Sequence, residues 1–170
     1  FDRSSNFINQ MKELLSDQKK IINDKGVRKL ASLIREKESL AATRFIGLPD
    51  SNVHFLSLPF YETGKIKKNE PSKKDIDIMC DLIKSVKPHQ IFAAGDLADP
   101  HGTHKVCIEL LFDCLKKLKK IDFMKDCWVW LYRGAWHEWD THEIDMAVPL
   151  SPEQVLRKRR AIFYHQSQNN

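Results

Sequence analysis

The chain reads IFAAGDLADPHGTHKVC from residue 91 to residue 107, and this stretch decides the expected fold. An apolar run that ends in a glycine predicts a buried strand and a turn, and helical periodicity resumes after Thr103. A strand, a polar loop and a helix in this order predict one unit of an open α/β sheet. Because such sheets bind ligands beyond the carboxyl ends of their strands, we expect a functional site in this loop.

Helical and extended patterns alternate along the rest of the chain. The predicted helices cover about residues 27–45, 73–86 and 103–119, and a last helix runs from Pro152 toward His165. The predicted strands cover residues 53–58, 91–94 and 127–132. The alternation predicts a Rossmann-like α/β fold, with a largely parallel sheet flanked by helices and lacking its first strand.

Two pairs of residues have the spacing of helix-capping boxes. Ser72 precedes Asp75 by three positions, and Ser151 precedes Gln154 by the same spacing with Pro152 between them. A side chain at the first position of such a pair binds backbone amides that the helix leaves without partners. The pairs therefore predict where the second and the last of these α/β helices begin.

The length of 170 residues, of which 42% are hydrophobic, is enough for one buried core and too short for two domains. We expect residues 1–170 to form one partial domain, with a surface or insertion helix in residues 1–25 and a core in residues 26–168. No apolar run approaches the roughly 20 residues that cross a bilayer, so we expect no membrane partner.

The cysteine spacing and the charge pattern argue against two further classes of protein, disulfide-rich proteins and nucleic-acid-binding proteins. The four cysteines are scattered and form no Cys-x-x-Cys pair, which predicts reduced thiols in a cytoplasmic protein rather than a disulfide framework. The net charge of +5 is compatible with nucleic-acid binding. However, the basic runs at residues 116–120 and 157–160 interrupt apolar helical positions as a solvent-exposed face does, and no nucleic-acid signature accompanies them. We therefore expect no nucleic-acid partner.

Two histidines begin the helix that follows the loop. His101 and His104 are three residues apart, so they can project from one side of the helix N-terminus. A neutral imidazole is a good zinc ligand and an imidazolium is a good donor to an oxyanion, so the pair suits metal-assisted hydrolysis. The alternative is a solvated loop with an Asp-Pro turn and two histidines of no function.

Three further charged residues lie near the expected site. Asp96 and Asp99 could orient His101 or bind a sugar hydroxyl, but acids in a proline-containing turn often cap backbone amides instead. Arg133 directly follows a predicted strand, where it could bind a phosphate or pair with an acid. We predict substrate-binding or supporting roles for all three and leave these alternatives open.

Three segments of the chain carry a family resemblance. They are REKESLAA at residues 35–42 with FIGL at 45–48 and HFLSL at 54–58, HGTHK at 101–105, and RAIFYHQSQ at 160–168. In this order they resemble the LmbE-like, or PIG-L, zinc-dependent deacetylases, whose second signature is His-Pro-Asp-His at the end of a strand.

The resemblance implies roles for three histidines. His104 would be a zinc ligand, and His101 would stabilise the tetrahedral oxyanion and help to protonate the leaving amine. His165 would lie near the active-site face, although a helix-end histidine with ordinary capping contacts is the alternative. Thr103 departs from the family pattern, which usually has Asp there. The family's first signature, Ala-His-Pro-Asp-Asp-Glu, does not occur in this chain, so two metal ligands and the general base are missing.

We therefore expect the C-terminal part of a zinc-dependent deacetylase that hydrolyses the amide of an N-acetylglucosamine-type amino sugar. This chain would be an incomplete enzyme and inactive in isolation. The full-length protein would contain zinc, whereas this chain alone would bind zinc poorly. The segment most resembles the subgroup fused to glucosamine-6-phosphate deaminase (isomerase) domains, so its partner would be the rest of its own polypeptide. The alternative is a non-catalytic α/β domain appended to such a deaminase.

Overall fold

A computed structural model describes residues 2–15, 25–61, 68–95, 102–133 and 138–168 of the chain. The helices in this part are α1 Asp2–Leu15, α2 Lys25–Ile46, α3 Lys73–Val86, α4 Thr103–Leu118 and α5 Pro152–Ile162, and the strands are β1 Gln90–Ala94 and β2 Trp128–Tyr132. Short 3-10 turns occur at residues 50–52, 59–61, 122–126, 141–143 and 166–168. The predicted α/β class is confirmed.

The chain divides into two compact units. The terminal unit combines Phe1–Phe55 with Val148–Asn170, and the central unit is Leu56–Ala147. The terminal unit contains α1, α2 and α5, whereas the central unit contains both strands with α3 and α4. The assignment of residues 1–170 to one domain stays a prediction.

The central unit is built on a parallel pair of strands. Strand β1 pairs with β2 in a register that places Gln90 opposite Trp128 and Ala94 opposite Tyr132. Helix α4 lies between these strands in the chain and provides the crossover that parallel strands require. The strand and the helix predicted within residues 91–107 are therefore confirmed, and residues 96–101 of the loop lie outside the described residues.

Helices α3 and α4 pack against β1 on one face of this strand pair. Their contact forms a buried cluster of Cys80, Ile83, Leu111, Cys114 and Leu118. Ile91 and Ala93 of β1 pack against the cluster, so the alternate residues of the strand meet the helices. Burial raises the pKa of the Cys114 thiol to about 12, and the Cys80 thiol lies 3.9 Å from the Cys114 carbonyl oxygen. Both cysteines are buried and free.

The predicted strand at residues 53–58 is wrong. These residues form neither a strand nor a helix, so the sheet has two strands in the described part of the chain. Ser57 has a φ of 45°, in the left-handed region, which interrupts an extended run. Phe55 in this segment is also exposed.

A buried carboxylate joins the start of α3 to the turn before it. Asp75 is fully buried and accepts hydrogen bonds from the Phe60 amide at 2.9 Å, the Ser72 amide at 2.9 Å and the Ser72 hydroxyl. Burial opposes ionisation, but the hydrogen bonds outweigh it and hold the pKa of Asp75 below its ordinary value. The predicted capping box is thus confirmed, and its acid also binds Phe60, fifteen residues earlier.

The terminal unit pairs the ends of α2 and α5. Gly47, with a φ of 94°, ends α2, and the Leu48 amide donates to the Thr43 carbonyl at 2.9 Å. A glycine in this left-handed conformation is a common helix terminus. Helix α5 begins at the predicted capping box of Ser151 and Gln154. The Phe45 and Tyr164 rings lie 5.3 Å apart between their centroids and connect the two helix ends.

Asp75→Asn should lower the free energy of unfolding by about 2–3 kcal/mol, because an amide nitrogen replaces an oxygen that accepts from buried donors. The loss is measured by urea denaturation at neutral pH. Since the native pKa of Asp75 is lowered, its stabilisation is present above the ordinary aspartate pKa and is lost as the pH falls through the native value. The wild-type advantage over Asp75→Asn should therefore shrink in acid.

Asp81→Asn is the matched control, because Asp81 lies on the same helix and is exposed, with a salt bridge to Lys84 at 3.2 Å. Its effect should stay within about 0.5 kcal/mol. Equal losses in the two variants would show that Asp75 does not join these segments as described.

Candidate functional site

The parallel strands bring two loop positions to one edge of the central unit. Strand β1 continues into Gly95, whose amide donates to the Tyr132 carbonyl at 2.8 Å, and Arg133 follows Tyr132. We call this set, Ala94, Gly95, Tyr132 and Arg133, the carboxyl edge. Ligands of open α/β sheets bind beyond such an edge.

Close packing at the carboxyl edge requires glycine at position 95. A Cβ atom built on Gly95 would lie 2.9 Å from the Cβ of Leu131, closer than real carbon atoms approach. Gly95 is also buried. The glycine that ends the apolar run therefore permits the last residues of the two strands to approach each other.

His104 lies in the first turn of α4 and is exposed. Gly102, with a φ of 69°, precedes the helix. The other predicted residues of the loop, Asp96, Asp99 and His101, lie outside the described residues. Their roles, and the predicted zinc-ligand role of His104, stay predictions.

Arg133 contacts the segment that follows it. Its Nη1 donates to the Glu138 carbonyl at 2.9 Å, and its guanidinium lies 4.0 Å from the centroid of the Trp139 ring. The first contact satisfies a backbone acceptor, and the second is a cation–π interaction. These contacts hold residues 138 and 139 beside the carboxyl edge, whereas phosphate binding by Arg133 stays a prediction.

The described residues do not supply a complete zinc site. No cluster of three or more His, Cys, Asp or Glu side chains is arranged to hold a metal ion in residues 2–15, 25–61, 68–95, 102–133 and 138–168. A catalytic zinc needs three protein ligands. The donors in this part of the chain therefore do not fit the metal, and no zinc-dependent step follows from them.

His165 belongs to the terminal unit. It follows α5, is partly buried, and its amide donates to the Ile162 carbonyl at 3.0 Å. Its side chain lines an open groove of about 560 Å³ between α2 and α5. Ala42, Ile46, Ala161 and Ile162 supply apolar lining of that groove. Both the capping role and the substrate-binding role of the His165 side chain stay predictions.

Glu38 and Ser167 join two of the segments that carry the family resemblance. The Ser167 amide donates to Glu38 Oε1 at 2.7 Å, and the Ser167 hydroxyl donates to Oε2 at 2.7 Å. These hydrogen bonds are the main cause that holds the pKa of Glu38 below its ordinary value, and the charge of His165 contributes. Sequence reasoning missed Glu38, because nothing in its helical pattern indicates a partner 129 residues later.

One curated relative matches nearly the whole chain. It is 48% identical over 164 residues, which make up 95% of this chain. The relative, from Bacteroides thetaiotaomicron, is named "Putative glucosamine-6-phosphate deaminase-like protein". The chain spans only 24% of the length of this relative. The predicted link to a protein of this name is supported.

The other comparisons give no match. No protein-family model matches the chain, and no solved structure does. The resemblance to the LmbE-like deacetylases therefore stays a prediction. Separately, no helix in the described part of the chain has the length and apolar character to cross a membrane.

Gly95→Ala should lower the free energy of unfolding by about 1–3 kcal/mol, because the new methyl group forces the strand ends apart. Urea denaturation measures the loss. Leu131→Gly removes the opposing Cβ, so the double variant should lose less than the sum of the two single variants. Simple additivity would mean that the close approach of these two residues is not the reason for glycine.

Glu38→Gln should weaken the attachment of residues 166–168, because a neutral amide accepts less strongly and cannot bind both Ser167 donors. Hydrogen exchange at the Ser167 amide should become faster. In the wild type, exchange should also quicken in acid beyond the intrinsic pH trend. The lowered pKa of Glu38 means that the contact persists above the ordinary glutamate pKa and is lost as the pH falls through the native value.

Glu36→Gln is the control for this measurement. Glu36 lies on the same helix and accepts from the Ser32 hydroxyl at 3.2 Å. It should leave Ser167 exchange unchanged, and a matching acceleration would argue against the Glu38 contact.

Proposed function

We propose that the chain is a non-catalytic α/β module of a glucosamine-6-phosphate deaminase-like protein. The observation that carries this proposal is the 48% identity to the Bacteroides protein of that name over 95% of this chain. Because the match occupies 24% of the relative, the module would accompany a much larger polypeptide. That polypeptide would handle the amino sugar.

The described candidate residues have surroundings that are compatible with a non-catalytic module. His104 is an exposed side chain in the first turn of a helix, and Arg133 is engaged by Glu138 and Trp139. His165 belongs to the terminal unit and lines a groove with an apolar lining.

A zinc-dependent amidohydrolase acting on an N-acetylglucosamine-type sugar is the second candidate. The observation that favours it is the position of His104, which begins the helix after the carboxyl end of β1, where α/β enzymes carry catalytic groups. His104 would then bind the metal and His101 would donate to the oxyanion. Further ligands would have to come from residues outside the described part of the chain or from another segment of the protein.

A chimera can distinguish the two proposed functions. In this chimera the chain replaces the matching quarter of the Bacteroides relative. Under the module proposal the chimera should fold, with one cooperative thermal transition close to that of the relative. It should release no acetate from N-acetylglucosamine or its 6-phosphate in the presence of zinc. His104→Ala should change neither property.

Acetate release that falls by about 10²-fold or more in His104→Ala would favour the deacetylase instead. His142→Ala is the matched control, since His142 is also an exposed histidine of the central unit but lies in the 141–143 turn. A chimera that does not fold, although the relative does, would overturn the module proposal.

A further inference from the structure

The two faces of the β1–β2 sheet are unequal. Ile91 and Ala93 point toward α3 and α4, so the alternate positions of both strands point the other way. The larger side chains on this second face are aromatic, and we call the set the aromatic face. It consists of Phe92, Trp128, Trp130 and Tyr132.

The aromatic face is open to solvent. Trp128 is 67% exposed, Phe92 56% and Tyr132 52%. The Trp128 and Trp130 rings are stacked, with centroids 6.2 Å apart and planes 19° from parallel. Gln90 and Ala94 complete this face of the two strands, so it carries no charged side chain. Several adjoining exposed aromatic rings without charge are typical of an interaction surface.

Physical constraints on parallel sheets indicate that this face has a partner. Parallel strands occur almost only in sheets with both faces covered, usually by helices, and a sheet of two strands has little stability of its own.

We infer that the aromatic face docks against an apolar helix face of the deaminase-like polypeptide. This inference rests on the proposed function. About three quarters of the Bacteroides relative lies outside the match, so a protein of this kind contains ample chain to cover the sheet. The absence of charge on the face favours an apolar helix over a charged surface, since a buried unpaired charge is costly.

Trp128→Lys tests the inference, because its effect should differ between the isolated chain and the chimera. In the isolated 170-residue chain Trp128 is exposed and loses only its stacking on Trp130, so the substitution should lower the urea midpoint slightly. In the chimera with the Bacteroides relative it should speed limited proteolysis of the grafted segment on the order of 10-fold or more, as expected for loss of a buried aromatic anchor.

Val86→Lys is the matched control. Val86 is 53% exposed at the end of α3, the helix on the opposite side of the sheet, so lysine should be tolerated in both contexts. Hydroxyl-radical footprinting of the unsubstituted proteins gives a second measurement. Trp128 and Phe92 should be oxidised in the isolated chain and strongly protected in the chimera.

The outcomes separate the two proposals. A chimera that folds but shows neither protection nor sensitivity to Trp128→Lys overturns the docking inference and leaves the module proposal standing. A chimera that does not fold overturns both.

Two other results would assign the aromatic face to a different occupant. If the isolated chain is a dimer that Trp128→Lys converts to a monomer in sedimentation experiments, the face binds a second copy. If added glucosamine-6-phosphate alone protects the face, it binds a sugar. Either result overturns docking to a helix.

Discussion

The carboxylate of Asp75 is the constraint on which the central unit depends. It ties the start of α3 to the turn that contains Phe60, and Phe60 is itself buried. Helix α3 then presents Cys80 and Ile83 to α4, and this helix pair packs against Ile91 and Ala93 of β1. A buried acid without these donors would cost several kcal/mol, so the same group that joins the segments also penalises other arrangements of them.

Local sequence patterns were sufficient to predict the helices. The capping boxes at Ser72 and Ser151 mark the starts of α3 and α5, and Gly47 marks the end of α2. Each signal depends on residues within one helical turn, which is why it can be read without the fold. The strand expected at residues 53–58 failed for the opposite reason. A strand depends on a pairing partner elsewhere in the chain, and an apolar run does not specify that partner.

The positions of the candidate site residues were predictable only in part. The sequence pattern correctly placed Arg133 directly after a strand, because parallel connectivity brings the ends of β1 and β2 to one edge. His104 lies in the first turn of α4, as expected, but its place at the carboxyl edge stays a prediction. The contacts of Arg133 with Trp139 and of Glu38 with Ser167 were not predictable. They are tertiary contacts made by exposed polar side chains, whose periodicity resembles that of any solvated surface.

The raised pKa of the Cys114 thiol has a consequence for the chemistry of that side chain. Burial favours the protonated thiol, whereas oxidants and alkylating agents attack the thiolate. Cys114 should therefore react slowly while the α3–α4 interface is closed, and its modification would report that the two helices had separated.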